Sequence, residues 1–554
     1  MNATASEKSA VEKPAGASAP KAAAAPAGAS TTAYVLAPHV ALRSWERVPY
    51  AYAERFVARP RLLSAGEFAC ALACDGARPL PPSADLDALL AKGLAVPCAP
   101  GAAGLTAWQR HRACPNRVTP WMGLEITGRC NYNCRHCFNA TDNRHLLSEL
   151  SLPQVEALLD DAARAGVNAV LVTGGEPLLH PDFKAIVAAV YERGMFVHEL
   201  NTNGRFLTDE ILDFLTGFGC GPDGRPPTEI KISFDCLGHH DWMRDRAGAE
   251  GDALRAIGLS VARGFTTRVQ TNVNRANRDA LLPTLRLLDQ MGVACTRVIC
   301  TVATPRWELN APGMTLTWDE YLDLGLATLG AYAAEDHAMD VDVWNVAKLM
   351  PRRRAYQLHP VRYCERTFKE SRPCCATING MVAVAADGQV YPCMQCSGTM
   401  AARGVRLGSV FEEGLPRLLR EGVYHDMVHA TVGDRLRHQR ALLATDAADD
   451  RGAEGRADGC GAVGETGAAR SAGDRGAGTP DLPACPTCPW LTWCGGGCPA
   501  LGMFVSGDDF LAPDRTACTG FCGGWPARFE RTLPGWACIN PVGPVGNGKG
   551  AVSV

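Results

Sequence analysis

Between residues 118 and 305 short apolar runs alternate with stretches whose apolar side chains recur every three or four positions. The runs begin near Met122, Asn168, Met195, Glu229, Thr266 and Cys295 and read as strands, and the stretches between them read as amphipathic helices. Local signals agree. Ser151 with Gln154 makes a capping box ahead of a helix over 155–165, and Gly166 follows as its stop. Thr208 with Asp209 and Glu210 opens another helix, while Gly194, Gly264 and Gly292 close others. Such alternation builds a parallel sheet with right-handed crossovers, whose chemistry sits in the loops after the strand C-terminal ends.

The flanks read differently. Residues 1–32 are rich in Ala, Pro, Ser and Lys, with too few large apolar side chains to offset the entropy of ordering; a disordered tail is predicted. Residues 33–112 combine an extended start with helices over 62–74 and 84–92, the first ended by Asp75-Gly76 and the second by Gly93, which fits a small α+β domain. A helix over 318–334 ends a core of residues 118–340. The part from 360 to 540 is rich in cysteine, and within it residues 444–480 read as a disordered insertion of Gly, Ala, Asp and Arg.

Charge and composition remove several classes of function. The 554 residues carry 55 Lys and Arg against 58 Asp and Glu, a net charge of −3, without the basic excess that phosphate-backbone binding demands. Nucleic acid is not an expected partner. No run approaches the roughly 18 apolar residues that cross a bilayer, and Glu7, Lys8, Glu12 and Lys13 stand where a signal peptide is apolar, so a cytoplasmic protein is expected. The 24 cysteines then point to metal ligation or redox chemistry instead of disulfides.

Cys130, Cys134 and Cys137 lie at C-x3-C-x2-C spacing in the loop after the first strand. Three thiolates there can hold three irons of a cubane cluster and leave the fourth iron open; with His136 as a fourth ligand they would instead make a zinc site. After the second strand comes Gly174-Gly175-Glu176-Pro177, where paired glycines permit close backbone approach and the carboxylate can meet an ammonium group. Together these motifs resemble the radical S-adenosylmethionine (SAM) superfamily over about residues 118–305. The resemblance implies an α/β fold with a partial (β/α)6 TIM-like barrel, and a [4Fe-4S] cluster on Cys130, Cys134 and Cys137. It also implies SAM on the open iron, cradled by Gly174, Gly175 and Glu176, and its reductive cleavage to a 5′-deoxyadenosyl radical that takes a substrate hydrogen. Asn203 in the TNG sequence after the third strand, and Ser233 and Asp235 in the SFD sequence after the fourth, become candidate SAM-binding residues.

Further on, Cys375, Gly388 and Cys393 precede Cys485, Cys488, Cys494 and Cys498 at C-x2-C-x5-C-x3-C, with Cys518 downstream. This pattern resembles the SPASM domain appended to many radical SAM enzymes, a Cys-rich iron–sulfur domain. It implies two auxiliary [4Fe-4S] clusters, one on Cys375, Cys393 and Cys498, the other on Cys485, Cys488, Cys494 and Cys518. Cys364 is the leading fourth ligand of the first and Cys374 the alternative; Cys396 and Cys522 stay unassigned. A zinc ribbon on Cys485, Cys488, Cys494 and Cys498 is the competing reading. Anaerobic sulfatase maturases carry an Asp directly after the cysteine matched by Cys393; Met394 stands here, which opposes that activity. Residues 33–112 look like the small winged-helix domains that capture a leader peptide as an added strand; the alternative is a cap that only shields the barrel.

The expected protein is therefore a radical SAM enzyme that crosslinks, oxidises or epimerises a peptide or protein, with a low-potential donor such as flavodoxin or ferredoxin. The sequence names no catalytic acid or base. The alternatives are a haem-pathway or other small-molecule enzyme of the same class, and a zinc-bound binding or scaffold protein.

Overall fold

The computed structural model describes residues 31–137, 139–141, 144–145, 147–359, 361–364, 366–375, 380–454, 484–506 and 509–542. The expected tail, save residues 31 and 32, lies outside them. Six strands run side by side in chain order, all parallel: β1 (Trp121–Glu125), β2 (Ala169–Thr173), β3 (Phe196–Thr202), β4 (Glu229–Ser233), β5 (Thr267–Val273) and β6 (Cys295–Cys300). Each starts within a residue of its predicted place. Two more strands extend the parallel array: β7 (Asp340–Val343) pairs with β6, and β8 (Met381–Val384), from the cysteine-rich part, pairs with β1. Further strands continue the sheet at both ends, and no pairing closes it among the described residues.

The strands alternate because their two faces meet different surroundings. Val170, Val172, Val197, Ile230 and Ile232 are buried in one core with Leu158, Leu159, Ile186, Val187 and Ile257 of the helices. Those helices begin as the sequence implies, the capping box of Ser151 and Gln154 opening Leu152–Arg164 and Thr208 capping Asp209–Thr216. The opposite strand face carries ion pairs: Lys231 with Glu199 at 3.2 Å, Arg268 with Glu229 at 3.0 Å, and Arg297 with Asp342 at 2.8 Å.

The region expected as one domain, 33–112, is divided between two compact units. The first unit, residues 31–37 with 69–105 among those described, holds Ala33–Leu36 between Asp75–Pro79 and Ala95–Cys98 in an antiparallel sheet, with helix Ala84–Ala91 capped by Ser83. Asp75 and Gly76 open a strand there and not only a turn. The hairpin of Val40–Trp45 and Val48–Glu54 belongs to the second unit, with the parallel sheet. The reason is burial on both faces of its first strand, where Trp45 Nε1 donates to Ala165 O at 2.8 Å, and the segment that follows the hairpin, where Asn168 Nδ2 donates to Val57 O at 2.7 Å and Phe56 meets Tyr191 and Phe196 edge-on. In the cysteine-rich part, helix Val432–Glu454 runs through the first residues of the expected insertion, and the remainder from 455 lies outside the described residues. No described helix is long and apolar enough to cross a membrane.

Candidate functional site

A cavity of about 1190 Å³ opens on the ion-paired face of the sheet, and Cys130, Cys134 and Cys137 all line it. The loop that carries them is fastened from the neighbouring strand: Gly175 N donates to Thr127 O at 2.7 Å and Glu176 N to Arg129 O at 2.8 Å. Only glycine permits that approach. A Cβ on Gly174 would lie 2.3 Å from Thr127 O, and one on Gly175 2.2 Å from Arg129 O, both backbone atoms with little room to yield. Gly175→Ala is therefore expected to displace the cysteine loop at a cost of about 1–3 kcal/mol, read as a lower melting temperature together with a fall in bound iron.

Gly174, Gly175, Asn203 and Ser233 line the cavity, whereas Glu176 and Asp235 do not. Glu176 is wholly buried; its carboxylate accepts from Leu178 N at 3.2 Å, Thr202 Oγ1 at 2.8 Å and Asn203 N at 2.8 Å. The carboxylate expected to meet an ammonium is thus spent on holding the TNG segment. Asn203 is delivered to the cavity, where its Nδ2 donates to Asn131 Oδ1 at 2.8 Å and lies 3.9 Å from Cys130 Sγ. Asp235, also wholly buried, pairs with Arg244 Nη2 at 2.7 Å and accepts from Asn272 N at 2.9 Å. Burial pushes its carboxyl up, but Arg244, His136 and His240 outweigh that and hold it below the usual carboxylate range. Its place is behind the site. His136 is buried too, with Nε2 3.3 Å from Asn272 Nδ2.

Two arginines that the sequence did not single out brace the cysteine loop. Arg244, ending the short helix His240–Arg244, places Nη1 3.6 Å from Cys134 Sγ. Arg306 donates from Nε to Cys134 O at 2.7 Å and from Nη2 to Asn133 O at 2.9 Å. Neither lies in a recognisable motif; only the folded loop brings them there. Burial, and then the neighbouring Cys134, push the Cys130 thiol up to about 12, so metal binding there must release protons.

Glu125, at the end of β1, also lines the cavity and is 3% exposed. Burial, with Asp387 adding to it, pushes its carboxyl up to about 7. Its charged form is penalised in the folded state, so stability is lost as pH rises from about 4.5 to about 7 and is level above that. The shift corresponds to about 3 kcal/mol. Glu125→Gln is expected to be more stable than the parent at pH 8 by up to that amount and equal to it near pH 4.5, as denaturant unfolding at both pH values would show.

The C-terminal cysteines fall into two groups. Cys375, Cys393, Cys396 and Cys498 line the same cavity as the three-cysteine loop. Cys485, Cys488, Cys494 and Cys518 gather apart from them: burial first, and then Cys485 and Cys488, push Cys494 up to about 12, while burial, Cys485 and Cys494 raise Cys518. What divides Cys494 from Cys498 is Gly495-Gly496-Gly497, at φ of 58°, 86° and 74°, three left-handed residues in a row. Arg435 Nη1 donates to Gly495 O at 2.9 Å and Gly497 O at 3.2 Å, and Asp514 Oδ2 accepts from Cys498 N at 3.1 Å. Cys364 does not line the cavity; its Sγ lies 3.4 Å from Thr367 Oγ1. Cys374 donates to Thr431 O at 3.1 Å. Met394 lines the cavity and packs against Gly123 of β1. Among the described residues no three His, Cys, Asp or Glu side chains converge on a single metal ion.

Residues 124–288 match the Radical SAM superfamily. The AdoMet-dependent heme synthase of Methanosarcina barkeri is 29% identical over 192 residues, 34% of this chain and 52% of that protein. The PqqA peptide cyclase of Granulibacter bethesdensis is 27% identical over 216 residues, 38% of this chain and 55% of that protein. The chain spans about half the length of the curated relatives it matches. Streptococcus suis SuiB, crystallised with its precursor peptide SuiA, superposes with a TM-score of 0.50 at 10% identity, over 71% of this chain and 90% of that one. That likeness is one of fold.

Proposed function

We propose that this chain, whose residues 124–288 form a radical SAM domain, is an iron–sulfur enzyme that modifies a peptide or protein. The observation that carries the reading is the shared cavity: the three-cysteine loop and a second set of thiols from the C-terminal part line one space of about 1190 Å³. The donor set fits the implied group. Cys130, Cys134 and Cys137 are three soft ligands on one loop, hydrogen-bond donors from Asn203 and Arg244 lie beside Cys130 and Cys134, and Gly174, Gly175, Asn203 and Ser233 stand around them for SAM. When bound, cluster and SAM supply an organic radical that abstracts a substrate hydrogen atom.

The chain's own residues do the rest. Glu176 and Arg306 fix the loops, the ion pairs on the sheet face keep the cavity floor polar, and Glu125 is placed to hold or accept a proton. Auxiliary clusters are assigned to Cys375, Cys393 and Cys498, and to Cys485, Cys488, Cys494 and Cys518. A ferredoxin- or flavodoxin-like donor is the natural partner.

The haem synthases among the relatives keep a second reading in play, with a porphyrin in the cavity. Anaerobically reconstituted protein with SAM and dithionite, incubated with a candidate precursor peptide or with iron coproporphyrin, separates the two. A mass change in the peptide, with faster 5′-deoxyadenosine release, is the expected result; turnover of the porphyrin alone would replace this reading with the second.

A further inference from the structure

We propose that Cys396 is the fourth thiolate of the cluster site made by Cys375, Cys393 and Cys498, an assignment that rests on the iron–sulfur reading above. Cys396 is 1% exposed and lines the cavity with those three. Its Sγ lies 3.2 Å from Cys393 Sγ. Cys393 precedes helix Met394–Ala402 and Cys396 sits in its first turn, with Cys396 N donating to Cys393 O at 3.1 Å. One turn of backbone therefore presents both thiols to the same space, at the helix end that favours negative charge.

The spacing also fits. C-x2-C is the interval at which ferredoxin-type loops bring thiolates to an iron–sulfur cluster. A cubane takes one thiolate per iron, so the pair must spread from thiol contact, which rotation about either Cα–Cβ bond allows. A cationic side chain is already in place, since Arg362 lines the cavity with these thiols.

The competitors are engaged elsewhere. Cys364 lies against Thr367, away from the cavity lining. Cys374 Sγ donates to Thr431 O at 3.1 Å and does not line the cavity.

The test compares Cys396→Ser, Cys364→Ser and Cys374→Ser in the full chain, reconstituted anaerobically, by iron and sulfide analysis with Mössbauer and EPR spectra. The parent is expected to hold about twelve irons. Cys396→Ser is expected to fall to about eight, or to show a three-iron centre when oxidised, while the other two keep the parent spectra. Uncoupled SAM cleavage, which needs only the barrel cysteines, reports that each variant is folded. Parent-like spectra in Cys396→Ser, or the loss appearing in Cys364→Ser or Cys374→Ser, overturn the assignment. If Cys396→Ser does not accumulate, Cys396→Asp should retain the iron with one altered cluster signal, and an unaltered signal is equally contrary. A parent with about four irons removes the reading beneath the assignment, an outcome distinct from a twelve-iron parent matched by its variant.

Discussion

Replacing Cys130, Cys134 and Cys137 together by alanine is expected to abolish reductive cleavage of SAM, a loss of at least about 10³-fold, equivalent to ~4 kcal/mol or more in the barrier. The three side chains line the cavity, and the loop's backbone contacts with Gly175, Glu176 and Arg306 do not use their sulfurs. The fold should survive, each truncation costing about 1 kcal/mol, so the loss can be assigned to the thiols. Replacement of Cys485, Cys488 and Cys494 should behave in the opposite way, sparing uncoupled cleavage and removing product. Assays of 5′-deoxyadenosine alongside product, with circular dichroism of each variant, distinguish the two patterns. Retained cleavage in the triple variant contradicts the assignment of the loop.

Arg244→Met should be the most destabilising single change in the site, by about 3–5 kcal/mol at neutral pH. Arg244 is 7% exposed and pairs at 2.7 Å with Asp235, which is wholly buried. Without the guanidinium, that carboxylate keeps Asn272 N and two histidines that burial pushes towards the neutral form, His136 to about 4 and His240 to about 3. In the parent, Asp235 has a depressed pKa, so its contribution is present above the unfolded value and lost as pH falls through the folded one. In the variant, burial alone raises that pKa, so the penalty shrinks as pH falls and the carboxyl takes up its proton. The gap between parent and variant should therefore narrow from pH 8 to pH 4. Adding Asp235→Asn should recover much of the stability at neutral pH, since removing both charges is far cheaper than stranding one. Denaturant unfolding of the single and double variants measures both effects. A gap independent of pH would place the cost in packing and not in the stranded charge.

The parallel core was readable because its signals are local. Apolar runs, capping residues such as Ser151 and Thr208, and stop glycines such as Gly166 act within a few residues of the chain. β8 escaped because Met381–Val384 sits far from β1 in sequence and reveals its partner only through pairing. Residues 40–54 read as part of the 33–112 region, whereas the chain groups them with the parallel sheet, for a related reason. The sequence does not show that Ala165 O receives the Trp45 indole N–H, or that Asn168 binds the segment just after the hairpin at Val57 O.

At the site, spacing identified the three-cysteine loop and the glycine pair, since both act through the backbone close at hand. It could not say that Glu176 turns inward to Thr202 and Asn203, or that Asp235 faces Arg244. Those partners of Glu176 lie 26 and 27 residues away, and Arg244 reaches Asp235 only through the turn of a separate short helix. Cys396 shows the same limit in reverse, an unassigned cysteine given a place by its contact with Cys393.

The most direct test is elemental analysis of anaerobically purified and reconstituted protein for iron, sulfide and zinc, with an assay for 5′-deoxyadenosine after adding dithionite and SAM. The account predicts about twelve irons per chain with matching sulfide and formation of 5′-deoxyadenosine. Zinc without iron or sulfide, and no cleavage of SAM, would contradict it.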